Sequence, residues 1–179
     1  MWNGAFTAMS KSNIRAICDA GPIIHLDELN CLDLLCDFQE VVLGDTVREE
    51  VKHHRPGALK KPNIHFMRAS QEYPEGDLLR AMCRIFSLDA GEIEALAIIE
   101  KNPGALFFTD DASARLVADR MGFKVHGTIG IIVRTIRREL MQPEQVLRIL
   151  AEIPSKSSLH IRPSLLEKIL GKIKREFHL

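Results

Sequence analysis

The chain has 179 residues, of which 46% are hydrophobic and only 6% aromatic, so it is long enough for one domain with an aliphatic core. Its 24 basic and 24 acidic residues give a formal net charge of zero, which argues against a strongly basic nucleic-acid coat while leaving room for a local basic patch. No apolar stretch approaches the length of a membrane span, and the four cysteines form no C-x-x-C pair, which favours reduced thiols in a cytoplasmic protein.

The order of apolar runs and helical patterns predicts an α/β domain. Residues 1–13 lack the apolar segment of a secretion signal and are expected to be a loosely ordered leader, followed by a single domain over residues 14–179. Apolar runs predict strands at residues 14–19, 40–43, 64–67, 105–109 and 123–125. Helical spacing predicts helices at residues 22–28, 31–36, 46–53, 76–87, 89–102, 111–121, 129–140, 143–152 and 163–176, with a Ser-rich connector at 154–163. This alternation is typical of a three-layer α/β/α fold with a central, mainly parallel sheet of about five strands.

Five acidic residues follow or lie between these runs. Asp19 ends the first run, Asp110 and Asp111 follow the run at 105–109, and Glu50 and Glu92 lie on short helical patterns. In an open parallel sheet, ligands bind at the carboxyl ends of the strands, where a ring of carboxylates repels itself unless a cation is present. Because these oxygen ligands have no Cys or His companions, they favour Mg²⁺ or Mn²⁺, whose usual chemistry is on phosphate.

Each of these acids also has an ordinary structural explanation. Glu92 fits a capping box with Asp89, Asp110 or Asp111 suits a helix N-cap, and Asp19 suits the turn before a proline. Taken singly, these roles are the more common ones. Their joint placement at the expected ligand-binding edge favours a site.

The remaining charged residues are less informative. Glu94 and Asp89 are further candidate acids for the site but are expected first to be solvated helix residues, and the seven histidines show no zinc-binding spacing. Basic residues concentrate in segments 52–61, 134–138 and 168–175; the last is expected to be a solvated face, whereas the first two could equally contact phosphates. Arg115 lies one helical turn beyond Asp111, so it could pair with a site carboxylate or reach a phosphate.

Several motifs, in order, resemble those of the PIN-domain ribonucleases, the group that contains the VapC toxins of toxin–antitoxin pairs. The similarity is closer to a little-characterised prokaryotic branch and covers about residues 15–172. The motifs that carry it are Asp19-Ala-Gly-Pro-Ile-Ile24, Gly91-Glu-Ile-Glu-Ala95, Asp110-Asp-Ala-Ser-Ala-Arg115, Gly127-Thr-Ile-Gly130 and the final stretch 159–170.

The resemblance implies a metal-dependent nuclease that hydrolyses single-stranded RNA in the cytoplasm with Mg²⁺ or Mn²⁺. It assigns catalytic roles to Asp19, Glu50, Glu92 and Asp111. It implies metal contacts from Asp19, Asp111, Glu92 and Asp110. Thr109, directly after a strand, and Arg115, one turn beyond Asp111, are the residues expected to bind the substrate. It also implies that the chain could be a toxin that a small antitoxin protein blocks.

Self-association as a homodimer or larger is expected, both from the resemblance and from the apolar residues of the first helices, which look too numerous for one core contact. These residues are Ile23, Ile24, Leu26, Leu29, Leu32, Leu34 and Leu35.

Two alternatives differ in what they ask of the sequence. Many PIN domains carry Ser or Asn two residues after the first Asp, where this chain has Gly21, so a non-catalytic module that binds nucleic acid or protein stays open. A metal-dependent phosphatase of doubly wound fold usually needs Asp-x-Asp, and Asp19-Ala-Gly21 lacks its second Asp.

Overall fold

The computed structural model describes residues 12–71 and 73–179, so the expected leader lies outside the described residues except for Ser12 and Asn13, which begin the first strand. The strands are β1 (Ser12–Cys18), β2 (Phe38–Leu43), β3 (Phe66–Arg68), β4 (Leu106–Phe108) and β5 (Lys124–His126). The helices are α1 (Ala20–Glu28), α2 (Asp45–His54), α3 (Asp77–Ile85), α4 (Ala90–Glu100), α5 (Ala112–Arg120), α6 (Thr128–Arg137), α7 (Pro143–Lys156) and α8 (Pro163–Glu176), with 3₁₀ helices at Leu32–Asp37 and Ala58–Lys60.

The strands form one parallel sheet of five in the order β3-β2-β1-β4-β5, with helices on both faces, which confirms the expected three-layer fold. Side chains alternate between the two faces, as strand geometry requires. Ala16 and Cys18 of β1 pack into the core with α1, α6 and α7, whereas Ile17 packs into the core with α3, α4 and α5. Because both faces are covered, β4 and the last three residues of β1, Ala16 to Cys18, are apolar and buried throughout.

The order of the strands decides where a ligand can bind. β1 and β4 are neighbours at the centre, and the chain leaves them towards opposite faces of the sheet, through α1 and α5. This is a topological switch point, and the crevice outside the carboxyl ends of such strands is the usual ligand-binding position. The residues that follow β1 and β4 are therefore held side by side.

Some element bounds differ from the sequence-based expectation. Helix α7 continues through Pro154 to Lys156 instead of ending near residue 152, with the ring of Pro154 on the exposed side of the helix, although Pro154 has no N–H to donate to the carbonyl of Leu150. The segment expected to be helical at 31–36 is a 3₁₀ helix, and the third strand begins at Phe66 instead of residue 64. Within the described residues, no helix is both long and apolar enough to cross a membrane.

The apolar residues of the first helices do not form a surface. All seven of them, from Ile23 to Leu35, are buried in the core of the single chain, so the argument for self-association that was based on them is wrong. The large exposed apolar side chains include Leu78 and Ile85 on α3, of which Ile85 is 72% exposed. Self-association itself stays a prediction.

Candidate active site

Acidic side chains gather at the carboxyl edge of the sheet, next to the ends of β1 and β4. Asp19 directly follows β1, and its backbone N–H donates to the carbonyl of Phe108, the last residue of β4, at 2.9 Å. The neighbouring strand then continues into Thr109, Asp110 and Asp111. The expectation that these segments meet at one edge is therefore met.

Asp19 is a buried member of this group. Its side chain is 9% exposed and accepts hydrogen bonds from the backbone N–H of Ala20 at 2.8 Å and from the hydroxyl of Thr109 at 3.0 Å. Burial raises the pKa of Asp19 to about 6, against the effect of these two hydrogen bonds and with a contribution from the charges of Asp89 and Glu50. The two hydrogen bonds fix the orientation of the carboxylate, but no positively charged group is among the causes of its pKa shift.

The side chain of Thr109 connects Asp19 to the backbone of Asp111. It is fully buried, its hydroxyl donates to Asp19, and the same oxygen accepts the backbone N–H of Asp111 at 3.1 Å. Thr109 therefore ties the two acids from neighbouring strands to each other. Direct contact between Thr109 and a substrate stays a prediction.

Glu92 lies in the first turn of α4. It forms a reciprocal capping box with Asp89, in which each carboxylate accepts the other residue's backbone N–H at 2.9 Å. Burial raises the pKa of Glu92 to about 7; the bond from Asp89 opposes this, and the charges of Asp89, Asp111 and Asp19 add to it. Its Oε1 accepts no hydrogen bond from the described residues, so one oxygen remains available to a ligand.

Asp111 combines a structural role with a place in the group. It is the N-cap of α5, and its Oδ1 accepts the backbone N–H of Ala114 at 2.7 Å. It is also exposed, and its charge contributes to the raised pKa of Glu92. Capping and membership of the acidic group are therefore not alternatives for this residue.

Glu50 reaches the group from α2. It is exposed, its charge acts on Asp19, and its Oε2 lies 3.9 Å from the position that a Cβ at Gly91 of α4 would take. Asp89, which the sequence suggested to be only a solvated helix residue, is exposed but acts electrostatically on both Asp19 and Glu92. We call these five residues, Asp19, Glu50, Asp89, Glu92 and Asp111, the acidic cluster.

Asp110 points away from this cluster. Its Oδ2 accepts from the Nδ1 of His25 and from the hydroxyl of Thr128, and its Oδ1 accepts the backbone N–H of Thr128, at 2.8 Å for both nitrogens. Burial alone would raise the pKa of Asp110, but these hydrogen bonds outweigh it, so the net pKa is below the usual range. Asp110 caps α6 and not the following helix, and both its oxygens are engaged, which does not match the metal contact expected of it.

Asp110 belongs to a wider pattern in which a carboxylate caps a helix that begins after a glycine. The expectation for Glu94 was wrong: it is 5% exposed, and it accepts the backbone N–H groups of Asp45 at 2.7 Å and Thr46 at 2.8 Å at the start of α2. Its carboxylate occupies the space that a Cβ at Gly44 would fill. Glu100 does so one step earlier, because it accepts the backbone N–H groups of Glu75 and Gly76, directly before α3, and lies in the space of a Cβ at Gly76. We call these carboxylates borrowed caps.

Arg115 is anchored beside the cluster. Its Nη2 donates to the carbonyl of Thr109 at 2.9 Å and lies 3.9 Å from Asp110 Oδ1. A Cβ at Gly127 would overlap both this guanidinium and the Asp110 carboxylate, so only glycine leaves room for them. The side chain is 46% exposed.

Two other arginines expected near phosphates lie elsewhere. Arg134 and Arg138 form ion pairs with the buried Asp37, directly before β2 and therefore at the opposite edge of the sheet. Arg134 also lies over the ring of Phe38, 4.7 Å from its centroid. Arg134 and Arg138 thus have a structural explanation and are not part of the candidate site, whereas the exposed Arg137 is not explained by these ion pairs.

The donor chemistry of the cluster fits a hard divalent cation. As the side chains stand, no group of three or more His, Cys, Asp or Glu in residues 12–71 and 73–179 is arranged to hold a metal ion. Mg²⁺, however, keeps several waters and needs only one or two direct carboxylates. The raised pKa values of Asp19 and Glu92 mean that negative charge here lacks compensation, which a cation would provide.

Sequence reasoning missed His25 and Glu94 as parts of this edge. His25 had a detectable signal, because it lies four residues after Gly21 and hence on the same face of α1. Glu94 had only the indirect signal of a glycine at the N-cap position of α2.

Comparison with known proteins agrees with this geometry. No curated protein and no solved structure matches the chain significantly. The model of the family DUF3368, described as a PIN domain, matches residues 15–175, which include both core clusters and the whole acidic edge. The chain therefore belongs to the PIN-domain family, whose members are generally nucleases.

Proposed function

We propose that this PIN domain is a Mg²⁺- or Mn²⁺-dependent ribonuclease that hydrolyses phosphodiester bonds of single-stranded RNA. The observation that carries the proposal is that two buried carboxylates, Asp19 and Glu92, lie at the switch point of the sheet, close enough for the charges of Asp19 and of the exposed Asp111 to raise the pKa of Glu92 further. Purely structural caps do not need this convergence. A site that binds a cation and a phosphate does.

A divalent cation bound here would supply an activated water and compensate charge on the phosphate and the leaving oxygen. Asp19 and Asp111 are the proposed direct ligands, with Glu92 and Glu50 holding and orienting water molecules. Thr109 keeps Asp19 in one rotamer through its hydroxyl, and the same group fixes the backbone at Asp111. The chain's own contribution is therefore a prearranged set of oxygen donors that does not reorganise during the reaction.

Cleavage of a fluorescently labelled single-stranded RNA, with Mn²⁺, with Mg²⁺ and with chelator, tests the proposal. Asp19→Asn should lower the rate about a hundredfold or more. The variant lacks a charge that holds the cation, and the cation would stabilise the transition state by several kcal/mol. Asp119→Asn is the control: it is the same substitution at an exposed aspartate near the end of α5, about 12 Å along the helix axis from Asp111 and so away from the acidic cluster. Cleavage by Asp19→Asn at the rate of the control would refute the metal-ligand role.

A toxin role is the proposed biological setting. It is supported by the resemblance to VapC toxins and by the exposure of Glu50, Asp89 and Asp111, which a small antitoxin could cover. A small reading frame that overlaps the upstream end of the gene would support this setting, and its purified product should suppress RNA cleavage. If that product leaves cleavage unchanged, the antitoxin part of the proposal fails while the nuclease part stands.

A non-catalytic binding module is the second candidate, and Gly21 is the observation that favours it. A Cβ at Gly21 would lie 3.5 Å from His25 Cε1 and 3.8 Å from Asp110 Oδ2, so a polar side chain would fit there but is missing. RNA binding without cleavage, in both Mn²⁺ and Mg²⁺, would favour this candidate over the nuclease.

A further inference from the structure

We propose that Arg115 binds a backbone phosphate of the RNA strand immediately beside the acidic cluster, on the β4–β5 side of the site; this inference rests on the proposed function. Arg115 lies in the first full turn of α5, four residues after Asp111. It therefore stands one helical turn from a proposed metal ligand. A strand whose scissile phosphate lies at the cluster would place a neighbouring phosphate within its reach.

The guanidinium has unused binding capacity. Arginine carries five N–H donors, and one of those of Arg115 is used by the Thr109 carbonyl. The other four find no hydrogen-bond acceptor within residues 12–71 and 73–179, because Asp110 Oδ1, at 3.9 Å, is near enough for an ion pair but too far for a hydrogen bond. A planar fork with free donors is the group that recognises phosphate best.

The surroundings hold this fork in place without using its remaining donors. The Thr109 carbonyl fixes one end, and the missing Cβ at Gly127 leaves the space that Nη2 of the guanidinium occupies. Asp110 forms an ion pair with Arg115 at 3.9 Å but makes its hydrogen bonds to His25 and Thr128. A positioned cation loses less conformational entropy on binding than a freely moving one.

Other arginines of the chain show what a purely structural one looks like. Arg68 makes a two-bond pair with Asp45, and Arg134 and Arg138 are bound to the buried Asp37. Arg115 has a backbone carbonyl as its anchor and an exposed face. Next to a cluster that would itself repel RNA, such a fixed positive group is the feature that phosphate binding requires.

Binding can be measured separately from cleavage. The parent is the full chain with Asp19→Asn, in chelator, and the probe is a fluorescently labelled single-stranded RNA followed by anisotropy over a series of KCl concentrations. Adding Arg115→Gln should weaken binding about tenfold or more at low salt. It should also reduce the slope of log K against log[KCl] by about 0.7, the value for one phosphate contact on a single strand.

Arg120→Gln is the matched control, because it removes an exposed arginine of the same helix, five residues and about 7 Å further along. It should change neither affinity nor slope. Arg115→Lys is the second variant: it keeps the charge and loses the fork, so the slope should remain and the affinity should lie between those of the parent and Arg115→Gln. Melting temperatures of all variants verify that they are folded.

Equal affinity and slope for Arg115→Gln and Arg120→Gln would overturn the inference. If Arg115→Gln does not fold, Arg115→Lys decides: affinity equal to that of the parent overturns the inference. Absence of RNA binding by the parent at low salt would also overturn it. The nuclease proposal stands or falls separately on metal-dependent cleavage by the wild-type protein.

Discussion

Replacing Asp19 with asparagine should make the metal-free protein more stable at neutral pH, although it removes a side chain of the candidate site. In the folded protein, burial raises the pKa of Asp19 from 3.8 to about 6. Each pKa unit corresponds to about 1.4 kcal/mol, so the ionised carboxylate destabilises the native state by roughly 3 kcal/mol. The amide removes that penalty but cannot accept the Thr109 hydroxyl as a carboxylate does, a loss of about 1 kcal/mol.

The net gain is therefore about 2 kcal/mol, or roughly 4–8 °C in melting temperature for a chain of this size. The sign depends on pH. Because the folded-state pKa is the higher one, the native protein binds more protons than the unfolded chain between about pH 4 and 6, and the stability of the wild type falls as pH rises through that window. Below pH 4 the carboxyl is neutral in both states, so the advantage of the variant should vanish or reverse.

Thermal or urea unfolding in chelator at pH 7.5 and pH 4 measures this, with Asp119→Asn as the control, which should change little at either pH. A variant that is less stable than the wild type at pH 7.5 would refute the reasoning, because it would mean that the hydrogen bonds of Asp19 outweigh its burial. Mn²⁺ at pH 7.5 should raise the melting temperature of the wild type more than that of the variant, since only a site that binds the cation gains stability from it.

Four further predictions concern Glu94, Asp111, Gly21 and self-association. Glu94→Gln should destabilise the protein by about 2–4 kcal/mol without changing the Mn²⁺ shift, because the amide loses one of two charge-assisted bonds to backbone N–H groups; an altered Mn²⁺ shift would place Glu94 in the metal site. Asp111→Asn should raise the melting temperature in chelator and reduce the Mn²⁺ shift, because asparagine caps α5 as well as aspartate does but removes a charge from the cluster; lower stability with an unchanged metal shift would leave only the cap. Gly21→Ser should fold normally, since a Cβ there meets only ordinary contacts, and it should cleave RNA faster, because it restores the polar group that many PIN domains carry at this position; an unchanged rate would mean that the missing hydroxyl is irrelevant. Light scattering at tens of micromolar should show a dimer or larger, which Leu78→Lys with Ile85→Lys should dissociate if α3 forms the interface, and a monomeric wild type would contradict self-association.

The fold could be predicted because its information is local. Runs such as residues 105–108 are apolar throughout, as expected of a strand buried on both faces, and the helical patterns between them leave a parallel sheet as the natural arrangement. The position of Asp19 and Asp111 followed from one further rule, that carboxyl ends of parallel strands share an edge. Boundaries were less certain where local rules have exceptions, as at Pro154, which an exposed helix face tolerates.

The details of the edge could not be predicted because they depend on pairs of residues far apart in the sequence. Glu94 accepts hydrogen bonds from Asp45 and Thr46, which lie 49 and 48 positions earlier in the sequence, and His25 contacts Asp110, which lies 85 positions later. Nothing in the neighbourhood of Glu94 distinguishes it from a solvated glutamate. Likewise, the bonds that engage both oxygens of Asp110 come partly from Thr128 on another helix, which no pattern near Asp110 in the sequence indicates.

The carboxylates that cap helices, both N-cap residues and borrowed caps, have a consequence for the electrostatics of the whole edge. Five helices begin there, and each starts on a carboxylate: α1 on Asp19, α2 on Glu94, α4 on Asp89, α5 on Asp111 and α6 on Asp110. A helix N-terminus carries roughly half a positive charge, because its peptide dipoles are aligned. Five such ends together offset about two to three units of the negative charge on the acids. The fold thus supplies a diffuse positive background that lets so many carboxylates share one edge before any cation arrives, and the surplus that remains sets how strongly that edge attracts one.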